Sequence, residues 1–288
     1  MSYSRLPIPI LILLVLILGT GNALIYHALL APKSPALTVS VLDIGQGDAI
    51  LVEGPTGRQM LIDGGKDRKV LRELPRALPL LDRTLDLVVA THPDADHIGG
   101  LADIFARYRV GTYLKSSVIH ESSATDRLDA ASSQERGLAT VVARAGMRIH
   151  LGGGAYADVL FPDRDMPDAE TNAASIVMRI AYGETSFMLT GDAPSEVEAY
   201  LIQRYGEDAL DSDVLKAGHH GLRTSTSPAW LAAVTPDLAV ISAGRGNSYG
   251  HPHQEVLDRL RLAGVPFLST QTAGTITLIS DGTLVRQK

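Results

Sequence analysis

The sequence predicts an α/β (α+β) protein in which two β-sheets pack together with helices outside, preceded by one apolar N-terminal helix. Short runs rich in β-branched residues alternate with helical stretches, and antiparallel meanders occur near both ends of the chain. Histidines and aspartates directly follow several apolar strands. With 45% hydrophobic and 20% charged residues, general disorder is excluded.

The composition limits the chemistry that the chain can perform. Its 288 residues include no cysteine, which excludes disulfides, thiolate metal sites and a cysteine nucleophile. Any metal must therefore be held by His, Asp, Glu or Asn. The formal net charge of −6 argues against a protein that binds nucleic acid through a broad basic surface. A bound cation could still attract a substrate phosphate.

The first part of the chain predicts export. Residues 6–31 are almost uncharged, so residues 1–31 are either a secretory signal peptide or a retained membrane anchor, with the anchor slightly favoured. A weak charge asymmetry supports an orientation with the amino terminus inside and the rest of the chain outside. A linker over 32–36 and one globular domain over 37–288 would follow. We therefore expect an extracytoplasmic protein, either membrane-anchored or secreted; the sequence indicates no protein partner.

The first half of the domain begins with an antiparallel meander. Helices are predicted over 66–77 and 98–108, and the polar stretch 116–136 favours no assignment. Strands are predicted over 37–42, 49–53, 59–62, 85–90 and 110–114.

The second half contains further strands separated by helices. A hairpin is predicted over 175–189 and another over 275–285. Helices are predicted over 138–145, 194–205, 228–233 and 252–262. Strands are predicted over 148–151, 159–162, 214–217, 238–242 and 265–268.

The most informative segment is the loop of residues 91–100, THPDADHIGG, between a buried strand and a helix. His92, Asp94, Asp96 and His97 lie within it. Burying so many ionisable groups is costly without a compensating cation, and imidazole with carboxylate suits Zn²⁺, Mn²⁺ or Fe²⁺. The alternative is a solvated loop in which Asp96 caps the following helix.

Three later loops repeat the pattern of a strand followed by polar groups. They contain Asp192, the pair His219 and His220, and the pair His251 and His253. Six of the nine histidines thus fall in a few strand-end loops, which favours an active site at one sheet edge. For each residue alone, a turn, a helix cap or a structural histidine remains the alternative.

Taken in order, these motifs resemble the metallo-β-lactamase fold, specifically the hydrolase domain of ComEC-type competence (DNA-uptake) proteins. The resemblance implies a four-layer αβ/βα sandwich with a metal site along one edge, and it extends over roughly 37–285. The motifs that carry it are DIGQGD (43–48), LIDGG (61–65), HPDADHIGG (92–100), LTGD (189–192), KAGHHG (216–221) and GHPH (250–253).

The resemblance also implies roles for individual residues. His92 and Asp94 would hold one metal, Asp96 and His97 the other, and Asp192 would bridge them. His219 would complete the second site, with His220 less favoured. Asp63 would orient the ligand loop. Further residues expected to support the ligands or contact substrate are Asp48, Asn172, Lys216, His220 and His253.

Two departures from the family pattern affect the metal site. Asp94 stands where the wider fold has a second histidine, which makes the site harder and favours manganese relative to zinc. No histidine between the ligand loop and Asp192 lies in a matching motif, so Asn172 could substitute, or the first metal could be weakly held or absent.

The predicted chemistry is hydrolysis by metal-activated water, with one or two divalent ions, Zn²⁺ or Mn²⁺, as cofactors. Asp96 or Asp192 would orient or deprotonate the water, and His251 would assist the leaving group or the attacked centre, unless it is only a helix-start residue. The resemblance implies a phosphodiester substrate such as DNA. The alternatives are an exported esterase with a non-nucleic-acid substrate and a non-catalytic binding module with a degenerate metal site.

Overall fold

The computed structural model describes residues 7–30, 35–79 and 81–288 and divides the chain into two units, 1–34 and 35–288. In the first unit, α1 spans Ile8–Leu30. Among the described residues, no helix has the length and sustained hydropathy needed to cross a bilayer. The predicted leader (1–31) and linker (32–36) lie partly outside the described residues, and their roles stay predictions.

The second unit contains the strands and the remaining helices. The strands are β1 Leu37–Val41, β2 Ile50–Glu53, β3 Gln59–Ile62, β4 Thr84–Ala90, β5 Arg109–Lys115, β6 Ala139–Val142, β7 Arg148–Gly152, β8 Ala155–Phe161, β9 Val177–Tyr182, β10 Thr185–Leu189, β11 Val214–Lys216, β12 Leu238–Ile241, β13 Phe267–Ser269, β14 Ile276–Ser280 and β15 Val285–Gln287. The helices are α2 Val70–Ala77, α3 Ala95–Ile98, α4 Leu101–Phe105, α5 Ser123–Gln134, α6 Ser195–Tyr205, α7 Glu207–Leu210, α8 Pro228–Val234, α9 Gln254–Leu262 and α10 Thr270–Ala273. Short 3₁₀ turns cover Asn172–Ala174 and Gly218–Gly221.

Within the described residues, the strands form two sheets. One has the order β15-β14-β1-β2-β3-β4-β5-β6, and the other has the order β13-β12-β11-β10-β9-β8-β7. Strands β3 to β6 pair in parallel in the first sheet, and β10 to β13 pair in parallel in the second. Because parallel strands end at the same edge, each sheet gathers several strand-end loops at one place.

Three apolar clusters bind the layers together. The central cluster lies between the sheets and includes Val39, Met60 and Phe187. A second cluster packs α2, α4 and α5 against the first sheet, and a third packs α6, α8 and α9 around Trp230 against the second sheet. The layers therefore run helix, sheet, sheet, helix, and the predicted two-sheet sandwich is confirmed.

One local prediction was wrong, and one stretch for which none was made contains a helix. Residues 138–145 were expected to be helical, but Ala139–Val142 forms β6, which pairs in parallel with β5; a short apolar run does not distinguish strand from helix. The unassigned stretch 116–136 contains α5, whose start is fixed by a capping box between Ser122 and Thr125. The sandwich itself was unaffected because β6 extends the sheet at its edge.

Candidate metal centre

Parallel strand ends bring the candidate residues to one edge of the sandwich. Asp63 follows β3 and His92 follows β4, whereas Asp192 and His219 follow β10 and β11 of the other sheet. The chain leaves each of these strands at its carboxyl end, so loops from both sheets face the same region. Residues that are distant in the sequence therefore meet without a long irregular segment.

The carboxylate of Asp192 lies at the centre of a ring of imidazoles. Its Oδ2 is 3.2 Å from Nε2 of His97 and 3.4 Å from Nε2 of both His219 and His220. Nε2 of His92 lies 4.0 Å away. A buried oxygen that several imidazole nitrogens approach together is the arrangement expected around a shared cation.

A compact subset meets the geometry required of a ligand set. Asp48, His97, Asp192 and His220 are buried, and each offers a ligand atom within 4.8 Å of the others. Asp192 Oδ1 and His92 Nε2 are buried without a hydrogen-bond partner. Such atoms are costly to bury unless something satisfies them, so these nitrogen and carboxylate groups fit one or two divalent cations.

The other predicted ligands border this cluster. Asp96 Oδ2 lies 3.5 Å from His220 Nε2, and Asp94 Oδ2 lies 3.7 Å from His92 Nε2. Asp94 keeps 31% of its side chain exposed, whereas the imidazole of His92 is fully buried. Asp94 thus occupies the solvent side of the site next to the buried His92, and Asp96 approaches the histidines from the ligand loop. All six predicted ligands lie in this region, and their individual assignments stay predictions.

Asp63 fixes the orientation of His97. Its Oδ2 is 2.7 Å from Nδ1 of His97, so His97 donates that N–H and directs Nε2 toward Asp192. The same carboxylate accepts the backbone N–H and the hydroxyl of Thr91 at 2.8 and 2.7 Å. A buried carboxylate that holds a ligand histidine in this way sets its tautomer and ring orientation.

Asp48 belongs to the cluster, although the sequence indicated only a supporting role. Its carboxylate pairs with the ammonium of Lys216, and Oδ1 lies 3.4 Å from Nδ1 of His220. Lys216 is 1% exposed and extends from β11 toward the space between the sheets. The lysine therefore neutralises a buried carboxylate and is not a solvated surface charge.

Close loop packing holds the ligand segment in place. The N–H of Gly64 donates to the carbonyl of His97, and the N–H of Asp48 donates to the carbonyl of Asp96. Gly47 has φ = +112°, and a Cβ there would lie 1.9 Å from the carbonyl oxygen of Asp96. The GQGD motif thus requires glycine because two backbones touch at this point.

Backbone strain accompanies the histidine pair. His219 and His220 both adopt left-handed conformations, with φ of 49° and 56°. Consecutive non-glycine residues in this region cost on the order of 1–3 kcal/mol each, and such strain is concentrated at functional sites. The Thr226 hydroxyl accepts the N–H of Gly218 at 3.0 Å, and the carboxylate of Glu198 accepts the N–H groups of Thr226 and Ser227.

Charge interactions set the protonation of the cluster. Burial, with the neighbouring His97, holds the pKa of His92 well below its usual value, so His92 is neutral and able to bind a metal. Burial opposes the ionisation of Asp192, but His220 and His97 hold its pKa well below the usual range. For Asp96, burial is outweighed by the hydrogen bond from His220, which lowers the pKa to about 2. The carboxylates are therefore anionic at neutral pH.

His251 borders the cluster and contacts the GQGD loop. Its ring centre is 5.9 Å from that of His219 and 6.0 Å from that of His220. Gln46 Nε2 is 3.2 Å from Nδ1 of His251; as that amide nitrogen only donates, Nδ1 accepts and the neutral imidazole carries its proton on Nε2. Burial and the two histidines lower the pKa of His251 to about 4, so it is neutral at pH 7.

Two predicted supporting residues lie outside the ligand cluster. Asn172 donates its amide to Glu170 at 3.0 Å, and His253 precedes α9 with Nε2 3.3 Å from the carbonyl of Tyr249. Within the TNAAS segment it is Ser175 that reaches the site, since its hydroxyl accepts the N–H of Asp192 at 3.2 Å.

Sequence reasoning did not find several residues that hold the site. Thr91 contacts both Asp63 and His92, and the carbonyl of Ser242 lies 3.0 Å from Nδ1 of His220. Ser175 and Gln46 make the contacts described above. These are common residue types, and only proximity to a recognised ligand could have indicated Thr91, which precedes His92 in the chain.

A cavity of about 540 Å³ opens beside His92 on the side of the first sheet. Its lining combines apolar side chains with several carboxylates and Lys115. Four acidic residues border it, namely Glu121, Asp126, Asp129 and Asp165. This side of the metal centre is therefore unfavourable for additional anionic groups.

Comparison with curated proteins gives three similar relatives. The chain is 32% identical to ComE operon protein 3 of Bacillus subtilis over 83% of its own length, 31% identical to competence protein ComA of Neisseria gonorrhoeae over 87%, and 32% identical to recombination protein 2 of Haemophilus influenzae over 85%. It covers 32%, 33% and 29% of those proteins, so the chain spans about a third of their length.

Solved structures share the fold. The metallo-β-lactamase fold protein YhfI from Bacillus subtilis matches with a TM-score of 0.55 and 10% identity, over 84% of this chain and 99% of that one. Igni18, a metallo hydrolase from Ignicoccus hospitalis, matches with a TM-score of 0.55 and 17% identity, over 83% and 98%. The family model for the metallo-beta-lactamase superfamily matches residues 42–245. The chain therefore belongs to the metallo-β-lactamase superfamily and is a metal-dependent hydrolase of that class, as its motifs predict.

Proposed function

We propose that this hydrolase is a phosphodiesterase that cleaves DNA outside the cytoplasm. The observation that carries the proposal is the convergence of four imidazoles on Oδ2 of Asp192. The DNA substrate is inferred from the names of two of its relatives, a competence protein and a recombination protein. Because the chain spans about a third of those relatives, a role in DNA uptake is not part of the proposal.

The residues divide into ligands and groups that act on substrate. His92, Asp94, Asp96, His97 and Asp192 would hold one or two cations, with His219 and His220 available to complete them; both Zn²⁺ and Mn²⁺ suit this mixture of imidazole and carboxylate. When bound, such a cation supplies a nucleophilic hydroxide near neutral pH and stabilises charge on the phosphoryl oxygens.

The chain's own groups would direct the attack. Asp96 is anionic and reaches the histidine cluster from the ligand loop, so it can accept a hydrogen bond from the attacking water and orient it. His251 is neutral and carries its proton on Nε2, so it can donate a hydrogen bond to the substrate phosphate. Its low pKa disfavours the imidazolium form that a strong general acid at pH 7 would need.

The test combines elemental analysis of the purified full chain with two hydrolysis assays. Each candidate metal is restored in turn, and plasmid DNA and bis-p-nitrophenyl phosphate are offered as substrates. Bound metal with turnover of both substrates supports the nuclease. Turnover of the small ester alone supports an esterase with another substrate, and bound metal without turnover of either supports a binding module.

The extracytoplasmic location is a separate part of the proposal. It is supported by the apolar composition of residues 6–31 and by the competence protein among the relatives. A reporter enzyme that is active only outside the cytoplasm, fused after Lys288, should be active in cells. Activity from a cytoplasm-dependent reporter at the same position would contradict this location.

A further inference from the structure

A second pocket, of about 430 Å³, adjoins the metal centre. Its charge is opposite to that of the cavity beside His92. Its lining includes two cationic side chains and several uncharged hydrogen-bonding groups. The residues that define it are Asp43, Gln46, Lys69, Gly244, Arg245 and Asn247, and we call it the cationic pocket.

Gln46 connects the cationic pocket to the metal centre. Its side chain lines the pocket, and its Nε2 lies 3.2 Å from Nδ1 of His251. The ring of His251 is in turn about 6 Å from those of His219 and His220. A ligand in the pocket would therefore be separated from the histidines of the metal centre only by the side chains of Gln46 and His251. A polymer could occupy the pocket and the metal centre together.

The two cations in the pocket are available for an anion. Lys69 places its ammonium over Gly45, where a Cβ would lie only 2.6 Å from Nζ. Arg245 donates from Nε and Nη2 to the carbonyl of Gln271, which fixes the guanidinium and leaves Nη1 free to donate elsewhere. Among the described residues neither cation forms an ion pair with a carboxylate.

One carboxylate, that of Asp43, shares the lining. Its Oδ1 accepts the N–H of Gly45 at 3.4 Å, so part of its charge is satisfied by the backbone. Two cations against one anion leave the pocket with a net positive charge. The cavity beside His92 is lined by four acidic residues and Lys115, and because Arg144 pairs with one of the acids, Asp165, the cavity keeps a net negative charge. A polyanion crossing the metal centre would be attracted on one side and repelled on the other.

We infer that the cationic pocket binds a phosphate of a polymeric phosphodiester at a position neighbouring the one that is cleaved. The inference rests on the proposed function and extends it, because it distinguishes a polymer such as DNA from a small ester. Arginine and lysine are the side chains that most often bind phosphate groups, and a flanking contact of this kind would increase affinity without specifying sequence.

The test compares Lys69→Ala and Arg245→Ala with a control that also removes one positive charge, Arg286→Ala. Arg286 lies on β15, where it pairs with Ile279 of β14 at the end of that strand away from the ligand loops. Two readouts are used for each protein. One is the ratio of kcat/KM for a single-stranded oligonucleotide to that for bis-p-nitrophenyl phosphate, and the other is binding of the labelled oligonucleotide in chelator at several salt concentrations.

Each pocket variant should lower the kcat/KM ratio roughly tenfold at low salt and weaken binding, since one phosphate contact is lost. The slope of log affinity against log salt should fall by about 0.7 per removed cation for a single strand. Arg286→Ala should match the unmodified protein in both readouts. Circular dichroism confirms that each variant is folded.

Two failures are distinguishable. If the oligonucleotide does not bind, or if pocket variants and control share one salt slope, the cationic pocket is not a phosphate site and the inference is overturned, whatever the hydrolysis assays give. If binding changes as expected but neither the oligonucleotide nor bis-p-nitrophenyl phosphate is hydrolysed with any metal, the pocket stands and the proposed phosphodiesterase activity fails.

Discussion

The carboxylate Oδ2 of Asp192 lies 3.2 Å from Nε2 of His97, which joins the end of β10 in one sheet to the loop after β4 in the other. Both residues are almost completely buried. The contact therefore links the two sheets at the site. A cation bound between these two side chains would determine how strongly the contact stabilises the protein.

Replacing Asp192 tests that contact directly. Asp192→Asn keeps the size of the side chain but removes the negative charge that several imidazoles face, so hydrolysis should fall below detection and metal content should drop. Circular dichroism should still report the native fold, because the neighbouring backbone contacts persist. Retained activity would remove Asp192 from the bridging role.

A second prediction concerns Asp63, which orients His97 without approaching Asp192. Asp63→Asn should weaken metal binding by about 10–100-fold, because the amide cannot hold the His97 tautomer as the carboxylate does. Competition with a chromophoric chelator measures the affinity. Asp158→Asn is the matched control, since Asp158 pairs with Arg148 at the surface, and it should bind metal as the unmodified protein does. Equal affinities for both variants would contradict the positioning role.

The general position of the site was predictable because the carboxyl ends of parallel strands lie at one edge of a sheet, where binding sites commonly form. His92 and Asp192 each follow an apolar run, and runs of that kind become strands whose carboxyl ends share an edge. The prediction needed only the order of motifs. The four-layer sandwich followed from the same alternation of strands and helices, so an error over 138–145 did not affect it.

The detailed partners were not predictable from spacing. Asp48 lies far from His220 in the sequence, and its membership of the cluster depends on the glycine-mediated contact between its loop and the carbonyl of Asp96. The TNAAS segment predicts a supporting role for Asn172, whereas it is the hydroxyl of Ser175 that accepts the N–H of Asp192. Long-range hydrogen bonds of this kind depend on exact backbone placement, which local sequence patterns do not encode.

A third prediction separates the adjacent histidines. His220 Nε2 lies within 3.5 Å of Asp96, His97 and Asp192, whereas His219 approaches Asp192 alone among these three. His220→Ala should therefore lose more metal affinity than His219→Ala, as measured by chelator competition. A larger loss in His219→Ala would instead support the assignment favoured by the motif resemblance. If each single variant loses one ion and the double variant loses two, the two histidines serve separate cations.

A fourth prediction concerns Glu198, which supports the histidine loop from α6. Its two carboxylate oxygens accept the N–H groups of Thr226 and Ser227, and Thr226 holds Gly218. In Glu198→Gln one of these N–H groups would face an NH₂ group, so the free energy of unfolding should fall by about 1–3 kcal/mol. Metal affinity should fall as well. Glu196→Gln, at an exposed position on the same helix, is the control and should change neither quantity.

The same residue predicts a pH dependence. Burial raises the pKa of Glu198 above its ordinary value of 4.5, although the N–H groups of Ser227 and Thr226 and the charge of Arg259 lower it. Between 4.5 and the raised value the folded protein keeps a proton that the unfolded chain has released. The contribution of Glu198 to the free energy of unfolding is therefore complete below pH 4.5 and is lost as the pH rises through the folded-state pKa.

Urea unfolding of the metal-free protein measures this effect. The difference in unfolding free energy between the unmodified protein and Glu198→Gln should shrink as the pH rises from 4.5 and become constant once Glu198 is ionised in both states. The variant cannot titrate at this position, so titrations common to both proteins cancel in the difference. A difference that grows with pH would mean that the hydrogen bonds from Thr226 and Ser227 outweigh burial and that the pKa of Glu198 is lowered.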